Sequence, residues 1–224
     1  MSFVYKFGSD SQEYSTDGHL EDWTLAYPLV AKPLPDIYVT KDRLFQVFTD
    51  TRDLRFGMKD TLTNSGYYSN YVNDMLVEYP LFSKIKVIGD NKGTDIRAFT
   101  SAIILNRVED VMLLNAEALC MLNRGDEAIK QLNTVRSQRG LKNLSYTQNF
   151  DSSPKILLKE IFDERHRELM GEGHLWFDRI RRARVLGDEP DMVKIVQSNA
   201  IYWPVSQDVI TANPLIKQTE YWNK

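Results

Sequence analysis

The chain has 224 residues, enough for one large domain or two small ones, and its 42% hydrophobic and 26% charged content is ordinary for a globular protein. Its 28 basic and 31 acidic residues leave a net charge of −3 without any basic run, which argues against a nucleic-acid partner. Cys120 is the sole cysteine, so no internal disulfide forms; its setting, Ala118-Leu119-Cys120-Met121-Leu122, reads as an apolar helix face with an inert thiol rather than a nucleophile.

The opening segment Met1-Ser2-Phe3-Val4-Tyr5 reads like the middle of a protein behind an initiator Met. It carries neither a signal peptide nor a lipobox, and the chain has no run of eighteen apolar residues. Residues 1–100 lack sustained helical periodicity. Turn formers recur at Asp17-Gly18, Pro28, Pro33, Pro35, Asn64-Ser65-Gly66 and Asn91-Lys92-Gly93, which predicts loops, short helices and a few short strands. Val39 to Phe48 is expected to form a short helix, and Leu81 to Val87 a strand.

This irregular half is rich in aromatics: Trp23, Tyr27, Tyr38, Tyr67, Tyr68, Tyr71 and Tyr79. A Tyr or Trp on a loop can stack its ring on the apolar C–H face of a pyranose, while Asp, Asn and Arg bind the hydroxyls. Such rings also pack as core, and half or more of them should do so. The candidate ligand contacts are Trp23, Tyr38, Tyr67, Tyr68 and Tyr71, with Tyr67 and Tyr68 the best placed for exposure because they follow the Gly66 turn.

After residue 101 the pattern changes. Ile104, Val108, Val111, Leu114 (or Asn115), Ala118, Leu119 and Leu122 recur at helical spacing. Arg124-Gly125 should end this helix, with Gly as a left-handed cap, and Asp126 should cap a second one. The second helix shows Ala128, Ile129, Leu132 and Val135 on one face and stops at Gly140. Small and apolar residues at Ala116, Leu119, Ala128, Leu132 and Val135 fit a tetratricopeptide-like hairpin, in which small side chains let two helices approach closely. One such repeat cannot bury both its own faces.

A polar loop from Lys142 to Ser153 leads to a third helix, from about Pro154 to Met170, with Ile156 (or Leu157), Leu158, Ile161, Phe162 and Leu169 on its apolar side. A short fourth helix is expected over Leu175 to Arg184. The tail, with Pro204 and Pro214, reads as an extended, ordered segment that Trp203 and Trp222 could pin.

The third and fourth helices carry the most distinctive string: Glu164-Arg165-His166-Arg167-Glu168-Leu169, then Gly171-Glu172-Gly173, then Trp176-Phe177-Asp178-Arg179 and Arg182. It allows two readings. One is a carboxylate pair for acid/base work, or a metal site built from His166, His174 and a Glu. The other, which is favoured, is a structural ion-pair motif of Glu164, Arg165, Glu168, Asp178 and Arg181 joining two helices. Carboxylates crowded by arginines ionise easily and make poor general acids. The chain has no His-Glu-x-x-His, no Gly-x-Ser-x-Gly elbow and no glycine-rich phosphate loop, so no catalytic residue, metal or cofactor is assigned. A glycosidase's two carboxylates could still lie among the 31 acidic residues.

These stretches resemble the C-terminal region of the SusD/RagB family. The resemblance begins at Asp50-x-Arg52-Asp53-x-Arg55 and continues through Arg107-x-x-Asp110-x-x-Leu113-x-x-Ala116-Glu117-Ala118. Next comes Ala128-Ile129-x-x-Leu132-Asn133-x-Val135-Arg136-x-x-Arg139-Gly140-Leu141, where Gln138-Arg139 replaces the family's usual Arg-Ala. Ile161-x-x-Glu164-Arg165-x-x-Glu168-Leu169-x-Gly171-Glu172-Gly173 and Trp176-x-Asp178-x-x-Arg181 follow. Tyr202-Trp203-Pro204-Val205, Gln207, Ile210, Asn213-Pro214, Gln218 and Tyr221 complete it.

The resemblance implies a mainly α fold, with tetratricopeptide-like hairpins packed beside an irregular, loop-rich segment. Residues 1–100 would form the aromatic ligand face and residues 101–224 the helical region, together one compact domain that lacks the family's N-terminal half. It further implies a non-catalytic binder of oligosaccharides or polysaccharides, lipid-anchored on the outward face of a Bacteroidota-type outer membrane. Such a protein passes glycans to a TonB-dependent (SusC-like) transporter. The rival expectations are a protein-interaction scaffold that docks the transporter, and a glycoside hydrolase.

Overall fold

The computed structural model describes residues 3–5, 23–24, 33–57, 71–73, 81–82, 84, 103–146 and 153–223. The fold is mainly helical, and it divides into two compact units, Met1–Tyr146 and Thr147–Lys224.

The first unit contains five short strands and three helices among its described residues. Strand β1 (Phe3–Tyr5) pairs antiparallel with β5 (Ile103–Asn106), with a register irregularity between Phe3 and Val4. Strand β2 (Phe56–Gly57) lies parallel to β3 (Val72–Asn73), which pairs antiparallel with β4 (Leu81–Phe82). Helix α1 covers Lys41–Val47, inside the span expected from sequence, and opens where the Thr40 side chain accepts the Arg43 N–H at 3.5 Å. Of the strand expected over Leu81 to Val87, the structure describes Leu81–Phe82 and Lys84; the remainder lies outside the described residues.

Helices α2 (Val108–Met121) and α3 (Gly125–Gln138) form the expected hairpin. Its core holds the predicted small and apolar residues: Ala116, Ala128 and Leu132 are fully buried, and Leu119 and Val135 nearly so. Three local expectations are corrected. First, Ile104 belongs to β5, and the apolar row Val108, Val111, Leu114 and Leu122 is exposed. The buried side of α2 is instead Asp110, Leu113, Ala116, Glu117, Leu119 and Cys120. The hairpin selects its inner face for close approach, so Ala116 faces inward while bulkier neighbours stay outside. Second, the left-handed residue at the turn is Asn123, with φ 59°, not Gly125. Asparagine tolerates that conformation better than most non-glycine residues. Third, Asp126 is not the cap of α3: the N-cap is Arg124, without a side-chain capping bond, and Asp126 lies in the first turn.

Gly125 opens α3 for a different reason. A Cβ there would stand 2.6 Å from Cε2 and 2.8 Å from the hydroxyl of Tyr146, so the ring occupies the space a side chain would need. Gly140 ends α3 with φ +75°, and the Leu141 N–H reaches back to the Arg136 carbonyl at 3.1 Å, closing the last turn.

The second unit is built from α4 (Pro154–Glu168), α5 (Leu175–Val185), α6 (Pro190–Gln197), α7 (Gln207–Ala212) and a final 3₁₀ turn, Glu220–Trp222. Leu157, Leu158, Ile161, Phe162 and Leu169 form the buried side of α4 and its end, while Ile156 is exposed. Helix α6 falls in a stretch that sequence reading left unassigned and seats Met192, which is almost completely buried; the tail, expected to be extended, contains α7 and the final 3₁₀ turn.

The tail is closed by side-chain ties. Gln218 accepts the Val205 N–H at 3.1 Å and donates to the Val205 carbonyl at 2.9 Å, a side chain standing in for a strand partner. The Trp222 indole N–H donates to the Tyr202 carbonyl at 2.7 Å. Trp222 therefore pins the segment, but Trp203, 85% exposed, does not.

Candidate functional site

Trp23 and Tyr38 are 41% and 43% exposed, and the structure brings them together through the backbone. The Ile37 N–H donates to the Trp23 carbonyl at 2.8 Å, which fixes the chain just before Tyr38 against the chain at Trp23. Leu34, Ile37 and Val39 are exposed as well, while Thr24 and Pro35 turn inward. Sequence reading missed these three apolar companions; Pro33 and Pro35, on either side of Leu34, were the available signal, since a residue before proline is held extended.

A continuous set of contacts positions this segment. Tyr38 leads directly into α1, whose Leu44 and the following Phe48 are buried. Phe48 stacks on Phe56 with ring centroids 5.6 Å apart and planes at 24°, and Phe45 meets the same ring edge-on at 5.6 Å. Between those aromatics lies a tandem Asp-x-Arg turn. Asp53 accepts the Arg55 backbone N–H at 3.0 Å and its guanidinium at 2.8 and 2.7 Å, with both side chains almost wholly buried. Asp50 and Arg52 repeat the same local arrangement three residues earlier at the surface. There the Arg52 guanidinium and backbone N–H hold the Asp50 carboxyl well below the usual carboxylate range.

The turn is anchored on the hairpin. The Leu54 N–H donates to the Arg139 carbonyl at 3.0 Å, and a Cβ on Gly140 would stand 2.7 Å from the Arg52 carbonyl oxygen. Glycine at 140 thus serves both the left-handed backbone and the close approach of the turn.

Tyr71 is half-buried and already engaged: Lys84 Nζ lies 4.3 Å and the Arg139 guanidinium carbon 5.9 Å from its ring centroid. Its N–H donates to the Arg55 carbonyl at 2.7 Å, so it joins the strands to the Asp-x-Arg turn. Tyr67 and Tyr68, together with Tyr27 and Tyr79, lie outside the described residues.

The charged string of the second unit is inside the protein. Arg165 donates to Asp178 in a two-point pair at 2.9 and 3.0 Å, and Arg181 adds a third bond to Asp178 at 2.8 Å. Glu164 and Glu168 are fully buried, and Arg167 reaches Glu164 at 2.7 Å. The Arg181 guanidinium also stands 5.9 Å from the Phe162 ring centroid.

A second cluster surrounds Arg182, which bonds Asp163 on α4 at 2.6 Å and Asp188 after α5 at 2.9 Å. Arg179 bonds Glu189 at 2.7 Å, and Lys159 bonds Asp163 at 2.6 Å. Burial pushes the Asp163 carboxyl upward, but Lys159 and Arg182 outweigh it and leave the group below its ordinary range. Asp188 is held low by its hydrogen bonds from Arg182. His166 is pushed below its ordinary value by burial, so its neutral form is favoured.

Chemically, these two regions differ. The Asp163, Glu164 and Asp178 carboxylates of α4 and α5 are paired with guanidinium groups, whereas the Trp23–Tyr38 segment offers rings and apolar side chains to solvent. Among the described residues, no group of three or more His, Cys, Asp or Glu side chains is arranged to hold a metal ion. No helix among them is long and apolar enough to cross a membrane.

Comparison with known proteins fits this architecture. A SusD superfamily protein from Bacteroides thetaiotaomicron, solved by crystallography, is 46% identical and matches 98% of this chain with a TM-score of 0.81. A SusD homolog from the same organism, 23% identical, matches 90% with a TM-score of 0.64 and shares the fold. A SusD-like protein of Formosa agariphila is 31% identical over 124 residues, 52% of this chain. The chain spans 44% and 42% of the two crystal structures and 24% of the Formosa protein. The sequence model of the SusD family matches residues 38–188, a stretch that runs from Tyr38 through the Asp-x-Arg turn, the hairpin and the Arg165–Asp178 pair, and the chain belongs to that family.

Proposed function

We propose that this chain contributes to the capture of glycans without chemistry, and that the full-length protein delivers them to a TonB-dependent (SusC-like) transporter at the outward face of the outer membrane. The observation that carries this reading is the exposure of Trp23 and Tyr38 on one backbone-tied segment, in a chain of the SusD family. Stacking of a pyranose on these rings supplies the apolar half of recognition, and Tyr67 and Tyr68 are further candidate contacts on the strength of the sequence. Asp36 and Arg52 are exposed polar groups on the same stretch of chain, Asp50 is half-buried beside Arg52, and these groups suit hydroxyl binding. Affinity is modest, because a few stacked rings and open hydrogen bonds offset only part of the cost of association. The burial of Glu164 and Asp178, each paired with an arginine, supports a structural role for this charged motif.

A second reading, a scaffold that docks a protein partner, draws on the exposed apolar row Val108, Val111, Leu114, Met121 and Leu122 of the first unit. Affinity-gel retardation on a polysaccharide panel, followed by calorimetry and a reducing-end assay on any hit, separates the readings. Retardation by at least one polysaccharide without release of reducing ends is the expected result. Absence of retardation across the panel favours the scaffold, and steady release of reducing ends overturns the binding-only account in favour of a hydrolase.

A further inference from the structure

We draw no further inference here: the strongest candidate, the exposed apolar face of α2 formed by Val108, Val111, Leu114, Met121 and Leu122, is an unpartnered helix face and nothing in the structure shows what covers it.

Discussion

A guanidinium buried as deeply as that of Arg165 needs a facing carboxylate to offset its charge, and Asp178 supplies both oxygens. Removing that carboxylate breaks a buried two-point ion pair, which costs about 3–5 kcal/mol in comparable pairs. Asp178→Asn is therefore expected to lower unfolding stability by that amount, read from the midpoint and slope of urea denaturation. A cost below about 1 kcal/mol would show that the pair is incidental to the fold. Gly125 makes a second residue-scale case. Gly125→Ala drives a methyl into the Tyr146 ring and should cost about 1–3 kcal/mol, as overpacking does. In a Gly125→Ala/Tyr146→Ala double variant most of that cost should disappear, because the clash needs both partners. The two cases were not equally legible. The spacing of Glu164, Arg165, Glu168, Asp178 and Arg181 marks a charged helix pair in sequence. Gly125 looked like a helix terminator, because nothing local reveals a ring arriving from 21 residues later.

At the scale of elements, helix existence was read better than helix orientation. The hairpin, α4 and α5 follow from periodicity and glycine stops. The buried side of α2 did not, because a wide apolar row satisfies helical spacing on either side and only the partner helix decides between them. The assignment is testable by paired truncations: Leu113→Ala should cost about 2–5 kcal/mol by emptying a core position, whereas Val111→Ala should stay within about 0.5 kcal/mol. Equal costs in thermal or urea unfolding would contradict the observed face. Helix α6 escaped detection because its eight residues give too few turns for a period to stand out.

The same scale carries a pH dependence. Asp163 and Asp188 titrate below their ordinary 3.8, so the stability they supply is present above that value and is lost as pH falls through it towards their depressed values. His166, held neutral by burial, adds a loss that begins as pH drops through its ordinary 6.5. Stability should thus decline on acidification in two stages. Arg182→Met should flatten the lower stage, since it removes the shared partner of both carboxylates. Because Asp163 and Asp188 are partly exposed, the change should stay near or below about 1 kcal/mol. An unchanged slope below pH 5 in the variant would refute the role given to Arg182.

For the whole molecule, the division of labour is between ordered packing and exposed rings. Within the first unit, the hairpin holds the Asp-x-Arg turn through Arg139 and Gly140, the turn supports the Phe48–Phe56 stack, and α1 carries the chain back to Tyr38. Family and fold were legible because packing motifs recur in order along the chain. The aromatic face was legible only as composition: Trp23 and Tyr38 proved exposed, while Tyr71 is engaged by Lys84 and Arg139, a distinction that depends on cations distant in sequence.

The most direct measurement is a calorimetric titration of the oligosaccharide that retards the protein most, into the wild-type chain and a Trp23→Ala/Tyr38→Ala variant. Both side chains are substantially exposed, so the variant should unfold within about 0.5 kcal/mol of wild type. The account predicts that its binding heat falls at least tenfold in affinity, or vanishes, while the fold persists. Undiminished affinity in a folded variant would contradict it.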